Sequence, residues 1–162
     1  MVKICLVRPG ATAFDLEGRI KGCLDIPLCE MGRKEAEGTA REVAAQLRQE
    51  AITRLDAVYT APCQSAQATA EVLADACEAR VKVVDCLSNI DHGLWQGRLV
   101  EEVKRLQPSV YRAVQEHPEA FSPPGGETIE AAQGRVRRSL EKLLRKHRTG
   151  MIALVVPDPL AS

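Results

Sequence analysis

Cysteine and histidine side chains are the first candidates for nucleophiles or metal ligands in this sequence. The six cysteines are scattered and form no C-x-x-C pair, so their spacing matches neither a zinc site nor a redox dithiol. Cysteine-based phosphatase chemistry needs the spacing C-x-x-x-x-x-R, and no arginine stands at that distance after any cysteine. This spacing excludes that chemistry. We expect the cysteines to be mostly small buried hydrophobic residues.

The three histidines give a weaker signal. His92 could be imagined as a nucleophile, but a single imidazole without a neighbouring base or cations rarely suffices. His117 and His147 stand where helices are predicted to end, where an imidazole interacts favourably with the helix dipole. None of the three histidines therefore indicates a catalytic site by itself.

The elements that must position any site are predicted from the periodicity of the apolar residues. Short apolar, β-branched runs at residues 3–7, 57–60, 81–84 and 151–156 predict four buried strands. Helical periodicity predicts one face that contains Met31, Ala36, Ala40, Val43, Ala44 and Leu47, and another that contains Ile129, Ala132, Val136, Leu140, Leu143 and Leu144. Residues 64–77 and 100–117 are also helical, the latter interrupted by Pro108. Strands that alternate with helices indicate an α/β fold with a mostly parallel sheet.

In such sheets ligands bind at the carboxyl ends of the strands, so the residues that follow each strand are the informative ones. They include the segments Arg8-Pro9-Gly10, Thr60-Ala61-Pro62 and Pro157-Asp158-Pro159. The loop at residues 122–126, SPPGG, could overhang this edge.

Charge and hydropathy narrow the function classes. The chain carries 22 basic and 22 acidic residues, so no global field attracts nucleic acid or an anionic membrane. The basic run at residues 135–148 reads as an amphipathic surface helix. No apolar run approaches the length of a membrane span, and the first residues do not form a signal peptide. We expect a cytoplasmic protein without cofactor or metal.

Four motifs carry a resemblance to a known family. Residues 6–28, LVRPGATAFDLEGRIKGCLDIPL, resemble the R-H-G-x-T, G-R-x-x-G and D-x-P-L opening of the histidine phosphatase (phosphoglycerate-mutase-like) superfamily. YTAP at residues 59–62, GLWQG at 93–97 and PGGE at 124–127 follow in the family's order. The resemblance implies a three-layer α/β fold, formed as a single domain over residues 1–162. The family's final helix and strand are absent, which indicates either a truncated chain or a naturally shortened domain.

In that family the histidine of R-H-G attacks phosphorus, two arginines and a second histidine bind the phosphoryl oxygens, and a glutamate protonates the leaving group. Arg8 matches the first arginine. Degenerate residues stand at the other four positions: Pro9 at the nucleophile, Ser65 at the second arginine, Asn89 at the acid and Asp158 at the second histidine. The resemblance therefore implies that no catalytic residue is intact.

What remains of the family's phosphate site is Arg8, Thr12 and Glu127. We predict that Arg8 forms an ion pair with Asp158, within about 4 Å, since a buried unpaired arginine is costly; a pair with Glu127 and a retained anion ligand are alternatives. Pro9 suits the end of a strand as a plain turn residue. Asp158-Pro159 has the signature of a helix N-cap followed by proline.

Three hypotheses for function follow. The first is a catalytically inactive relative, a pseudophosphatase with a binding, regulatory or structural role and a protein or phosphorylated small molecule as partner. The second is a phosphomonoesterase with residual or altered activity that uses Arg8 and His92. The third is a binding module for anions or phosphometabolites without turnover. The oligomeric state is open.

Overall fold

The computed structural model describes residues 1–161 and shows a single parallel sheet. Its strands are β1 (Lys3–Val7), β2 (Ala57–Thr60), β3 (Val81–Val83) and β4 (Met151–Val155). The strand order is β1-β4-β2-β3, and all three pairings are parallel. The predicted three-layer α/β fold with a parallel sheet is therefore confirmed.

Helices connect the strands, and all but the first lie at the positions that the periodicity predicts. They are α1 (Ala13–Glu17), α2 (Glu30–Gln49), α3 (Gln64–Ala76), α4 (Val100–Leu106), α5 (Pro108–Glu116) and α6 (Ile129–Lys146). Pro108 is the first residue of α5. A helix accepts proline in its first turn but not in its interior, so the chain is divided here into α4 and α5. Residues 85–87 and 93–95 form short 3₁₀ turns between β3 and α4.

The core forms where the helices cover the sheet. α2 and α3 pack against each other, and α3 packs against β2, β3 and β4. All residues of β2 and β4 are buried. On the face that α6 covers, the Tyr59 hydroxyl lies 2.8 Å from His147 Nε2 at the end of that helix. His147 therefore has a tertiary partner at the position where we predicted a dipole interaction.

Two edge strands depart from the prediction of four buried strands. Ile4 and Leu6 of β1 are 43% and 53% exposed, and Lys82 and Val83 of β3 are also exposed. β1 and β3 each have a neighbour on one side only, so an apolar sequence does not bring full burial. Met31 was wrongly predicted to face the core, since it is exposed at the start of α2.

Two glycines fix the loop after β1 against the start of α2. A Cβ on Gly10 would lie 2.0 Å from the carbonyl oxygen of Gly32, and a Cβ on Gly32 would lie 2.0 Å from that of Ala11. The Gly10 N–H donates to Thr69 Oγ1 at 3.1 Å. This contact requires glycine at both positions, and it holds the loop that carries Arg8 and Pro9.

Candidate functional site at the carboxyl ends of β1 and β4

The ion pair between Arg8 and Asp158 lies at the edge where β1 and β4 end. Val7 of β1 is in register with Val155 of β4, so the segments after both strands come together. Arg8 Nη1 lies 3.1 Å from Asp158 Oδ2, which confirms the predicted pair and excludes Glu127 as the partner. The side chains are 64% and 44% exposed, so Arg8 is more exposed than the partly buried arginine that we expected. Such a pair contributes at most about 1 kcal/mol.

Pro9 lies beside this pair and is half-buried. Its ring carries neither a lone pair that could attack phosphorus nor a hydrogen-bond donor. The proline also restricts Arg8 to extended backbone, as the last turn out of a strand requires. The position thus has a structural use but no nucleophile.

The Asn89 side chain joins three segments at the same edge. Its Nδ2 donates to the carbonyl oxygens of Gly22, at 3.1 Å, and Asp158, at 2.8 Å. The residue is only 6% exposed, and its Oδ1 has no hydrogen-bond partner among residues 1–161. An amide that donates twice to backbone carbonyls holds loops together, and it has no acidic proton to give to a leaving group.

Ser65 lies apart from this cluster in its contacts. It is buried in the first turn of α3, and its Oγ lies 3.7 Å from Cys63 Sγ. No hydrogen bond within residues 1–161 links Ser65 to Arg8 or Asn89. The structure therefore brings together Arg8, Asn89 and Asp158 but leaves Ser65 engaged on its own helix.

Asp158 does not cap a helix in the described part of the chain, contrary to our interpretation of Asp158-Pro159. Residues 158–161 form a turn, which the Ala161 N–H closes by donating to the Pro157 carbonyl at 3.1 Å. The Asp158 carboxylate is directed to Arg8 and its carbonyl accepts from Asn89. Asp158 thus interacts with Arg8 and Asn89 instead of capping a helix, as its local sequence had predicted.

Thr12 is fully buried and forms part of a local cap. Its N–H and its hydroxyl both donate to Asp15 Oδ2 at 2.7 Å at the start of α1. Burial alone would raise the pKa of Asp15, but hydrogen bonds from Lys21 and Thr12 outweigh it and hold the pKa below its ordinary value. Thr12 therefore stabilises a turn and has no donor left for an anion.

Glu127 pairs with Arg135, a residue that the sequence did not single out. Both carboxylate oxygens accept from Arg135, each at 2.8 Å, and the two side chains are only 19% and 18% exposed. The hydrogen bond from Arg135 lowers the pKa of Glu127, against the opposing effect of burial. Glu127 is thus an ordered structural carboxylate.

Arg135 also donates to three backbone carbonyls of the segment after β3. These are Cys86 at 2.8 Å, Ser88 at 2.6 Å and Asn89 at 3.0 Å. With the two bonds to Glu127, one guanidinium fixes the segment that carries Asn89 against the loop that carries Glu127. We call this arrangement the Arg135 clamp. Arg135 lies in a basic run on an amphipathic helix, where the sequence does not distinguish an inward-pointing arginine from the solvated ones.

The remaining candidate nucleophiles are engaged elsewhere. His92 Nδ1 lies 3.0 Å from the Ile90 carbonyl, and no hydrogen bond within residues 1–161 joins His92 to Arg8 or Asn89. Cys23 donates to the Asn89 carbonyl at 3.2 Å, and burial raises the pKa of its thiol. The cysteines are less buried than predicted, because only Cys77 is in the core and both Cys23 and Cys86 are exposed.

Fold and site together define an α/β domain of the kind that places its functional loops at the carboxyl ends of a parallel sheet. The sequence profile of the histidine phosphatase superfamily (branch 1) matches residues 4–157. The chain belongs to this superfamily, as the motif resemblance predicted.

The chain is similar in sequence to several curated relatives. It is 34% identical over 155 residues to phosphoserine phosphatase 1 of Hydrogenobacter thermophilus. This alignment covers 96% of this chain and 70% of that protein. It is 28% identical over 155 residues to phosphoglycerate mutase-like protein 4 of Arabidopsis thaliana, covering 94% of this chain and 65% of the relative. The chain thus spans about two thirds of the length of these proteins.

Solved structures show the same fold. Bacillus stearothermophilus YhfR superposes with a TM-score of 0.84 at 25% identity, covering 99% of this chain and 76% of that one. A mycobacterial glucosyl-3-phosphoglycerate phosphatase complexed with VO3 superposes with a TM-score of 0.84 at 24% identity, covering 96% of this chain and 75% of that one. Both of those chains are longer than this one and extend beyond the matched region.

Two further properties concern the described residues as a whole. No helix within residues 1–161 is both long and apolar enough to cross a membrane. In the same part of the chain, no group of three or more His, Cys, Asp or Glu side chains is arranged to hold a metal ion.

Proposed function

We propose that this chain is a catalytically silent member of the histidine phosphatase superfamily, which acts through binding, regulation or assembly. The observation that carries the proposal is Pro9, at the carboxyl end of β1, where the family's motif has its nucleophilic histidine. Covalent catalysis forms a bond from an imidazole nitrogen to phosphorus, and proline offers no such atom. Loss of a nucleophile in a comparable catalytic unit costs about 10⁶-fold in rate.

The charges around Pro9 support the same conclusion. Arg8 is paired with Asp158 at 3.1 Å, so the guanidinium is opposed by a carboxylate at the position where the family has a second histidine. A phosphate dianion entering beside Arg8 would meet this negative charge. Asn89 adds hydrogen bonds but no cation and no general acid.

Turnover is the first test. Purified protein is incubated with p-nitrophenyl phosphate, phosphoserine and 3-phosphoglycerate, with phosphoserine phosphatase 1 of H. thermophilus as the active control. The expected result is hydrolysis at the rate of the buffer alone. Incubation with a ³²P-labelled phosphodonor, quenched under alkaline conditions that preserve phosphohistidine, should leave the chain unlabelled. Stoichiometric label on any histidine contradicts the proposal and favours the phosphomonoesterase.

Binding without turnover is tested separately by thermal unfolding. A ligand present at about 100 times its Kd stabilises the native state by about 2.7 kcal/mol, which raises the Tm of a domain of this size by several degrees. We expect no such rise with inorganic phosphate, phosphoserine or 3-phosphoglycerate at millimolar concentration. A rise that Arg8→Ala abolishes would instead identify an anion-binding module.

A further inference from the structure

Three basic residues converge towards the amino ends of β3 and β4, away from the candidate site at the carboxyl ends of the sheet. Arg80 comes directly before β3, Lys82 lies within it, and Lys146 is the last residue of α6, which leads into β4. All three residues are exposed. The Arg80 carbonyl accepts from Val58 of β2, so the segment is extended and the side chains of Arg80 and Lys82 point to the same face of the sheet. We call the three residues the Lys82 patch.

The buried residue Tyr59 positions two members of the Lys82 patch. The register places Tyr59 beside Lys82, and Lys82 Nζ lies 5.8 Å from the centroid of the Tyr59 ring, where the ring attracts the ammonium group. The Tyr59 hydroxyl lies 2.8 Å from His147 Nε2, which holds the end of α6 on the same face of the sheet. Lys146, directly before His147, is thereby brought towards Lys82. Contacts of the folded chain thus place the two amino groups before any ligand binds.

The Lys82 patch has no acidic partner in the described part of the chain. Lys146 has the largest effect on Lys82, through its charge and through hydrogen bonding between the two amino groups; with slight desolvation and the charge of Arg80, it lowers the pKa of Lys82. No carboxylate within residues 1–161 forms an ion pair with any of the three. Four other lysines do pair with carboxylates, namely Lys3, Lys21, Lys34 and Lys104. An anion bound between Lys82 and Lys146 would replace their repulsion with attraction.

The types of cation in the patch indicate which anion fits it. A lysine ammonium binds phosphate as a point charge, and an arginine guanidinium binds it through two parallel hydrogen bonds. A carboxylate carries one charge and would leave two of the three cations unpaired. Two linked phosphates carry enough charge for all three, because one phosphate can contact Lys82 and Lys146 while the second reaches Arg80. A diphosphate group therefore matches the Lys82 patch better than a single phosphate or a carboxylate.

We propose that the Lys82 patch is a binding site for a diphosphate group, either free or as part of a nucleotide. The site is separate from Pro9 and Arg8, so the inference goes beyond the proposed function and does not depend on whether the chain is catalytically silent. At low ionic strength, pyrophosphate should bind with a Kd on the order of 1 mM. Inorganic phosphate, which matches only two of the cations, should bind at least about tenfold more weakly.

A titration of the ¹⁵N-labelled chain with pyrophosphate, followed by NMR, tests the location of the site. The amide resonances of Arg80, Lys82 and His147 should shift, whereas those of Arg8 and Gly10 should not. A parallel titration with ADP distinguishes the two sources: equal affinity places recognition in the diphosphate, and tighter binding of ADP adds a contact to the nucleoside. Binding should weaken several-fold when salt is raised to about 0.15 M. If neither probe shifts the resonances of the Lys82 patch, the proposal is wrong.

Charge reversal tests the missing anionic partner. Lys82→Glu supplies a carboxylate beside Lys146, so it should raise the Kd for pyrophosphate at least about tenfold and raise the Tm of the free chain by about 1–3 °C. Lys34→Glu, at an exposed lysine of α2, changes the net charge equally and should leave the Kd within about twofold of the wild type without raising the Tm. Arg8→Ala should also bind pyrophosphate like the wild type. Wild-type affinity in Lys82→Glu, or loss of binding in Arg8→Ala, overturns the proposal.

Discussion

Asp158 connects the residues at the carboxyl ends of β1 and β4 through both its side chain and its backbone. Its carboxylate forms an ion pair with Arg8 and its carbonyl accepts from Asn89, so both polar groups of the residue have partners at the edge of the sheet. Pro9 fits its turn equally well, because it needs no backbone donor and favours the extended Arg8 before it. Both residues are therefore compatible with a stable loop at the carboxyl ends of β1 and β4.

Restoring the nucleophile alone should not restore activity. Pro9→His would still lack a second arginine, a general acid and a second histidine, and catalytic residues that act as a unit are not additive. We expect hydrolysis of p-nitrophenyl phosphate by this variant to equal that of the wild type. The combined variant Pro9→His, Ser65→Arg, Asn89→Glu and Asp158→His is the comparison in which turnover is expected. Turnover by the single variant would show that Ser65, Asn89 or Asp158 has been assigned to the wrong position.

Arg8 and Asn89 should differ in their effect on stability. Arg8→Ala removes one exposed ion pair and should change the free energy of unfolding by less than about 1 kcal/mol. Asn89→Ala removes two buried hydrogen bonds to backbone carbonyls and should cost about 2 kcal/mol. Urea denaturation at neutral pH measures both changes. An Arg8 variant as unstable as the Asn89 variant would mean that the ion pair is far stronger than its exposure indicates.

At the scale of the elements, the Arg135 clamp joins α6 to two segments. One is the segment that follows β3, and the other is the loop just before α6. Its five hydrogen bonds reach Glu127 and the carbonyls of Cys86, Ser88 and Asn89. The loop that contains Glu127 is thereby held beside the segment that carries Asn89. The clamp therefore orders this part of the chain through contacts that do not involve Arg8 or Asp158.

Removing the charge of Glu127 should destabilise the fold in a pH-dependent way. Glu127→Gln should lower the free energy of unfolding by about 2 kcal/mol at pH 7, since Arg135 loses its paired charge. The folded-state pKa of Glu127 lies below its ordinary value of 4.5, so the stabilisation is present above that pH and is lost as pH falls through the depressed pKa.

Urea denaturation between pH 3 and pH 7 measures this difference, and Arg41→Gln on the exposed side of α2 is the control for loss of a surface charge. The gap between wild type and Glu127→Gln should be constant above about pH 5 and narrow below it. A gap that stays unchanged down to pH 3 would show that the Glu127 carboxylate is not the group that matters.

Two glycines of α2 should respond in opposite directions to the same substitution. Gly32→Ala forces a Cβ to within 2.0 Å of the Ala11 carbonyl and should cost at least about 3 kcal/mol. Gly38→Ala meets no atom within 4 Å and should stabilise α2 by about 0.5–1 kcal/mol. Thermal unfolding of the two variants separates the effect of the backbone contact from that of helix propensity. Similar shifts in Tm would contradict the close contact.

The sequence predicted most of the elements, because their signals are local. The apolar run at residues 3–7 and the helical face from Ala36 to Leu47 depend on neighbouring residues, and both were placed correctly. The pair of Arg8 and Asp158 was predicted because both residues directly follow strands. The Arg135 clamp was missed, and Leu144, which was predicted to share the apolar face of α6, is 43% exposed. Both depend on which side of α6 meets the segment after β3, and this is decided by tertiary packing.

For the whole molecule, the strand order determines when the sheet can form during synthesis of the chain. β4 comes last along the chain but lies between β1 and β2, so β1 has no ladder to join until residues 151–155 have been synthesised. At about 5–20 residues per second, the roughly 140 residues between β1 and β4 take about 7–30 s to add. Throughout that interval the β1 segment, which contains Ile4 and Leu6, has no neighbouring strand to pair with. During synthesis this unpaired apolar segment should therefore be a site where the incomplete chain can aggregate.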